Sequence, residues 1–278
     1  MTRQPPDIDA ETVALAAAGD AAAVEAIVRG LQGPIHAIAR RMLLDRDDAE
    51  DATQESLVRI VTRLAQFRGE SKFTTWAFRI AVRRILDFRE QRAAAARYSF
   101  PAFAEHLADG RDDAAVERVQ DGVLYQQIKL ACSRAMLHCL DGDHRIAFVL
   151  GELLELSAAE AGEILDIEPA THRKRLSRAR AALTEFLGRT CGVVDARAPC
   201  ACHRRLARAT ELGRVDPRVE RIDGDTLVQL RSHIASVSEA RRVTAFYRRE
   251  PEVHSRRDFV ADLRRILGAL HHPAPEHS

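Results

Sequence analysis

Residues 157–180 leave this chain the least freedom in how it can fold. Ser157-Ala158-Ala159-Glu160 reads as a capping box, in which a hydroxyl and a carboxylate satisfy amides that a helix start leaves orphaned. The short helix it opens ends near Leu165. Asp166-Ile167-Glu168-Pro169 breaks it, and another helix follows from about Thr171. Upstream, Ile146, Val149, Leu150 and Leu153 form a helical stripe. Two short helices with a tight connection, the second one basic, make a helix-turn-helix pattern. On a wheel, Leu176, Ala179, Leu183 and Leu187 face inward with His172 near them. Lys174, Ser177 and Arg178 point outward, flanked by Arg173 and Arg175. A major groove admits such a helix, and Arg or Lys reaches guanine edges or phosphates there. The alternative is a merely solvated basic helix, against which the acidic helix before it and the compact turn both weigh.

Charge supports this division only when it is counted by segment. Lys+Arg is 42 against Asp+Glu 41, so the net charge of +1 signals no polyanion partner. From Asp141 to Ala170, however, eight acids accompany the single base Arg145, whereas Thr171 to Arg214 holds eleven Arg/Lys and three acids. That local asymmetry shapes the field an approaching nucleic acid meets.

The 278 residues contain 5% aromatics and few strand-forming runs, which argues against a β-sandwich and for an all-α chain. Five cysteines are too few for a disulfide-stapled secreted scaffold. No run approaches the ~20 apolar residues that span a bilayer, and the start lacks an apolar signal core. The expectation is a soluble, cytoplasmic protein with no membrane insertion. Ser99 to Gly122 carries six acids and two bases with little bulk, and reads as a flexible acidic linker. It separates a helical bundle (1–98) from the helix-turn-helix domain (123–188), and 189–278 forms a small helical C-terminal extension.

In the first block, residues 10–29 and 33–44 are amphipathic. Leu57, Ile60, Val61, Leu64 and Phe67 share one face of a helix whose acidic start, Asp47 to Asp51, suits the positive helix end. A helix over 74–92 follows. Phe78, Ala81, Val82, Ile85 and Phe88 form its apolar face, and Trp76, Ile80, Arg83 and Asp87 lie opposite, with Arg79 alongside. The only Trp among arginines suits stacking on unpaired bases with cationic support. The competing reading is a bundle helix buried on both sides, with Trp76 packed on a neighbour.

Taken together, these segments resemble a known family. Asp48-Ala49-Glu50-Asp51-Ala52-Thr53-Gln54-Glu55, Phe67-Arg68-Gly69-Glu70, Thr75-Trp76-Ala77-Phe78-Arg79-Ile80-Ala81 and Asp87 resemble region 2 of the extracytoplasmic-function group of sigma-70 family factors. Leu156-Ser157, Glu160, Glu163-Ile164-Leu165 and Thr171 to Arg180 resemble its region 4. The resemblance implies promoter-specific initiation with bacterial core RNA polymerase and promoter DNA, with no covalent chemistry and no required cofactor. It places Asp51, Gln54, Glu55 and Arg59 against the polymerase. Phe67, Arg68, Ser71, Lys72, Trp76, Arg79 and Arg83 would hold the melted −10 strand. Melting costs ~1.4 kcal/mol per stacking step, and capture of an extruded base offsets it. Thr171, Arg173, Lys174, Arg175, Ser177 and Arg178 would enter the −35 major groove. The chain departs from the family at Arg83, where Asn is common, and at His172, where an apolar residue is usual. An anti-sigma factor is a further partner the resemblance allows.

The extension opens with Cys191, Cys200, Cys202 and His203, four soft-metal ligands within thirteen residues. Zinc or a similar ion is one reading, a redox switch a second, and incidental thiols a third. Cys132 and Cys139 read as small core residues. Family members with cysteine-rich extensions tuned by metal are similar in kind only. Amphipathic helices are expected at 226–237, 238–249 and 257–270, with apolar faces of Leu227, Leu230 and Ile234, then Val243 and Phe246, then Phe259, Leu263, Ile266 and Leu267. They serve either as a stabilising bundle or as a built-in regulator packing on region 2 or region 4. A DNA-binding regulator that does not join polymerase would leave the 48–55 and 75–81 matches unexplained. No His-Glu-x-x-His, phosphate loop or nucleophile elbow marks an enzyme.

Overall fold

The computed structural model describes residues 6–91, 98–219, 222, 225–250 and 255–271, and the described residues fold as helices joined by turns. In chain order these are α1 (Ala10–Ala17), α2 (Ala21–Met42), α3 (Arg46–Val61), α4 (Phe73–Gln91), α5 (Phe100–Ala108), α6 (Gly122–Cys139), α7 (Gly142–Phe148), α8 (Ala158–Leu165), α9 (Pro169–Thr190), α10 (Leu206–Glu211), α11 (Leu227–Ser236), α12 (Glu239–Arg248) and α13 (Phe259–His271). Among the described residues no helix is long and apolar enough to cross a membrane. The chain divides into two compact units. One comprises residues 1–94, 154–169 and 253–278, and the other 95–153 and 170–252.

The first unit is built on α2, α3 and α4. Ile27, Leu31, Ile35 and Ile38 of α2 are fully buried, as are Ile60 of α3 and Phe78, Ala81 and Ile85 of α4. Thr53 and Ser56 donate their hydroxyls back to Ala49 O and Ala52 O, at 2.7 and 2.6 Å, so these small polar side chains sit inside the core without an unmet donor. The pattern expected to run from 10 to 29 is broken at Gly19, whose φ of +95° reverses the chain. Asp20 then caps α2 by accepting from Ala23 N at 2.8 Å. Conversely, the patterns before and after Pro34 merge into one helix. The continuous buried stripe of α2 outweighs the single donor that proline removes.

The second unit is organised by α6 and by Arg145, the only base in the acidic stretch. Its guanidinium is buried and donates to Leu137 O (2.9 Å), His138 O (3.1 Å), Leu140 O (2.9 Å) and His138 Nδ1 (2.7 Å). It thereby satisfies carbonyls that the end of α6 leaves open. α7 continues into a π-helical turn over Val149–Leu153. That turn carries Glu152, which is buried and accepts from Arg180 of α9 and from the Thr244 hydroxyl of α12 (2.7 Å). Arg248 donates to the Glu152 carbonyl at 2.8 Å. Tyr247 is fully buried, with its hydroxyl on Ser133 O at 3.1 Å. α11 and α12 thus bury the faces expected of them, Leu227, Leu230 and Ile234, then Val243 and Phe246. In α13, Val260 joins Phe259 and Leu263 on the buried face while Ile266 is exposed; the Leu267 side chain lies outside the described residues. The stretch 99–122 contains a helix, α5, where a flexible linker was expected. Phe103 and Leu107 are buried, and Phe100 and Phe103 lie 4.9 and 5.9 Å from Phe186. Three apolar residues at helical spacing suffice to dock it, whatever the acidity around them.

Burial, then the neighbouring Arg145, hold His138 neutral, with its pKa pulled down to about 3. A histidine depressed on folding contributes stability that is present above its ordinary value near 6.5 and is lost as pH falls below it, because the unfolded chain takes up the proton. Chemical denaturation should therefore show the second unit losing roughly 2 kcal/mol between pH 7 and pH 5 from this group. His138→Asn, which can still accept from Arg145, should flatten that part of the profile.

Candidate nucleic-acid and partner surfaces

The capping box forms as the residues dictate. Ser157 Oγ accepts from Glu160 N at 3.2 Å, and Glu160 Oε2 accepts from Ser157 N at 3.1 Å. Asp166 ends α8 in the left-handed region (φ 56°), one of the few non-glycine residues that adopts it readily. Gly162 is required where the chain folds back, since a Cβ there would stand 2.7 Å from Ile167 O. α9 then begins at Pro169, whose missing N–H is an orphan at that position anyway.

On α9, His172, Leu176, Ala179, Leu183 and Leu187 are buried, whereas Arg173, Lys174, Ser177 and Arg178 are exposed. Thr171 and Arg175 are half-buried, and Arg175 is held by Asp143 at 2.6 Å. His172 packs under the helix with Nε2 3.3 Å from Ala147 O, and burial lowers its pKa. It is a core residue. A Cβ at Gly151 would meet Leu176 at 2.7 Å, so the π-helical turn lies close beneath the exposed basic face.

On the first unit, Phe67, Phe73 and Trp76 form an aromatic trio with centroids 5.3 to 5.6 Å apart. Trp76 packs on its aromatic neighbours and remains half-exposed, as does Phe67. Arg68 and Arg83 are exposed and Ser71 is half-buried. Lys72 and Arg79 are engaged by α8, with Lys72 Nζ 2.8 Å from Glu160 Oε1 and Arg79 Nε donating to Glu163 O at 2.9 Å. Hydrogen bonds from Lys72 and Ser157 hold the Glu160 carboxyl below its ordinary range.

The acidic face of α3 is engaged as well. Asp51 pairs with Arg257 at 2.6 Å. Glu50 is buried and accepts from Arg256 N at 3.0 Å and from Arg46 Nε at 3.2 Å. Burial raises its pKa, but those hydrogen bonds outweigh burial and leave it below the ordinary value. Gln54 is buried, and neither of its amide atoms has a hydrogen-bond partner among the described residues. Glu55 and Arg59 are half-buried. Sequence reasoning did not single out Arg84, which lies 4.2 Å over the Phe88 ring and donates to Glu55 at 2.8 Å. Its adjacency to Arg83 hid it, because only packing separates an outward arginine from one that ties α3 to α4. Of the proposed metal ligands, Cys191, Cys200 and Cys202 come together, while His203 stands aside with Nδ1 3.9 Å from Glu117.

The model for Sigma-70 region 2 matches residues 27–95 and that for Sigma-70, region 4 matches 130–183. The ECF RNA polymerase sigma factor SigW of Bacillus subtilis is 30% identical over 179 residues, which cover 61% of this chain and 91% of that one. The probable RNA polymerase sigma-C factor of Mycobacterium bovis is 32% identical over 185 residues, covering 66% of this chain and 94% of that one. The ECF sigma factor SigM of Mycobacterium tuberculosis is 29% identical over 180 residues, 65% of this chain and 85% of that one. The chain belongs to the extracytoplasmic-function group of sigma-70 family factors. It is an RNA polymerase sigma factor, acting in transcription initiation.

Gly162→Ala should strain the turn, because the new methyl meets backbone rather than a movable side chain. A loss of ~1–3 kcal/mol is expected, read by denaturation and by faster amide exchange over 158–168.

Proposed function

We propose that α9 reads the −35 duplex through Arg173, Lys174, Ser177 and Arg178, while the aromatic trio and the Lys72, Arg79 and Arg83 cations hold the melted −10 strand. The observation that carries this reading is the division of α9 into a fully buried apolar stripe and an exposed basic face. Arg175, braced by Asp143, stands at the flank of that face and suits a phosphate contact more than base readout. Half-exposed aromatics beside cations offer a stacking surface whose affinity is tolerant of sequence and falls with salt. Core RNA polymerase would take the Asp51 and Gln54 face of α3.

A second reading, that the chain holds these surfaces closed by itself, is favoured by the identity of the residues that are paired. Arg257 occupies Asp51, and α8 occupies Lys72 and Arg79. The Lys72 pair is largely exposed, and such pairs contribute little, so promoter phosphates can displace it. The α13 cover is firmer, because burial of Phe259, Val260 and Leu263 contributes ~1.5–3 kcal/mol per fully buried side chain.

Run-off transcription with core polymerase on candidate promoters should yield defined starts that depend on this chain. Their absence, with core polymerase active, would reject the promoter reading. Lys174→Ala or Arg178→Ala should weaken −35 binding by ~1–3 kcal/mol if the lost contact is bidentate to a base. Unchanged promoter occupancy in both variants would show that α9 is turned the other way.

For the closed state, Arg257→Glu should tighten core-polymerase binding roughly three- to tenfold, about 0.7–1.4 kcal/mol, by placing like charges at Asp51. Binding equal to or weaker than the unaltered chain would leave α13 a purely structural helix.

A further inference from the structure

The extension's cysteines converge on a partner that their spacing does not disclose. Cys191, Cys200 and Cys202 line one apolar cavity in the second unit, and the fourth sulfur is Cys132 of α6. His203 is not among the lining residues. The loop is held in shape by backbone: Gly192 N donates to Cys200 O at 2.7 Å, and Cys200 N donates to Thr190 O at 3.1 Å. A side chain at 192 would collide, since its Cβ would lie 2.8 Å from Cys200 O. The close approach of the two cysteine strands therefore requires Cys191-Gly192.

We propose that Cys132, Cys191, Cys200 and Cys202 form a site for a thiophilic d10 metal ion, Zn2+ or Cu+, that ties α6 to the segment following α9. Thiolate sulfur is the donor such ions prefer over the imidazole and carboxylate ligands available elsewhere. The cavity also supplies a thioether, Met136, and two cations, Lys129 and Arg205. Four thiolates around a divalent ion carry two net negative charges; Arg205 stands at the site to offset them, while Lys129 is shared with the buried Glu250 at 3.6 Å. Among the described residues no three such ligands already stand in coordinating positions. Binding thus requires the thiols to turn inward onto the ion, each releasing its proton to solvent as its sulfur–metal bond forms.

The redox alternative is poorly served by this environment. The four thiols open onto an enclosed apolar cavity, which limits access by an oxidant or a second thiol. Buried protonated thiols are weak nucleophiles toward disulfides and peroxides. A metal that displaces the protons needs no such reactivity.

The test uses the full reduced chain, first stripped of metal, and titrates Zn2+ and, separately, Cu+ against a competing chelator. One equivalent of either ion should bind, and Cys132→Ser should lower its affinity at least tenfold. His203→Ala and Cys139→Ser should leave it unchanged. Because Cys132→Ser can disturb packing, Co2+ substitution in the unaltered chain provides a second measurement. The sulfur-to-cobalt charge-transfer intensity should match four thiolates. No bound equivalent, intensity for fewer than three thiolates, or full affinity in a folded Cys132→Ser would overturn the site. So would an air-formed disulfide among the four, detected by mass, which would assign them to redox chemistry instead.

Discussion

Glu152 is the interaction on which the second unit depends. A carboxylate taken out of water is costly unless it is paired and hydrogen-bonded, and this one satisfies the condition only by gathering groups from two distant parts of the chain. Arg180 comes from α9, and Thr244 and Arg248 come from α12. The π-helical turn at Val149–Leu153 widens the helix where Glu152 sits, and Gly151 beside it lets Leu176 pack against the backbone. The basic α9 is consequently held from beneath by an acidic, rigid support, while its outer residues remain exposed. The C-terminal extension is part of that support, because two of the three side chains that pair with Glu152 belong to α12.

The first unit distributes its charge differently. Three of its ion pairs, Lys72–Glu160, Arg79–Glu163 and Arg257–Asp51, fall on residues that the family resemblance assigns to polymerase or to DNA, and all three lie at the surface. Exposed pairs of this kind contribute little to stability. Arg84 is the instructive contrast. It is largely buried, stacked on Phe88 and joined to Glu55, and it ties α3 to α4. Two adjacent arginines, 83 and 84, thus divide one role between solvent and scaffold according to which face of α4 each occupies.

Much of this architecture was legible in the residues because it depends on local signals. The capping box at Ser157, the break before Pro169 and the apolar stripe of α9 are each set within a turn or two, and all formed where expected. α11 and α12 followed from periodicity alone. What was not legible depends on contacts between distant segments. Arg145 looked like a stray base in an acidic run and instead closes the end of α6. Residues 99–122 looked like linker because acidity concealed Phe100, Phe103 and Leu107, whose docking requires Phe186. Cys132 looked like core filler, and only the fold brings it beside cysteines some sixty to seventy residues later. Gln54, expected at the surface, lies buried, which the helical wheel of α3 alone could not show.

The extension is divided between the two units: residues up to 252 group with α6, α7 and α9, and those from 253 onward with the first three long helices and α8. An appendage that only stabilised α9 would have no reason to bury Phe259, Val260 and Leu263 in the first unit. Nor would it need to set Arg257 on Asp51, when Glu50 beside it is already met by Arg46 and the Arg256 amide. The division has an energetic consequence. α12 is anchored by buried groups, including Tyr247 and the Glu152 network, whereas the polar contacts of Arg257 and Arg264 are partly or largely exposed. The end with the weaker polar attachment is the one beside α2 and α3, where its hold rests on the buried Phe259, Val260 and Leu263. In the proposed closed state, release of α13 would free Asp51 from Arg257 without touching the Glu152 anchor, whose partners all belong to the second unit.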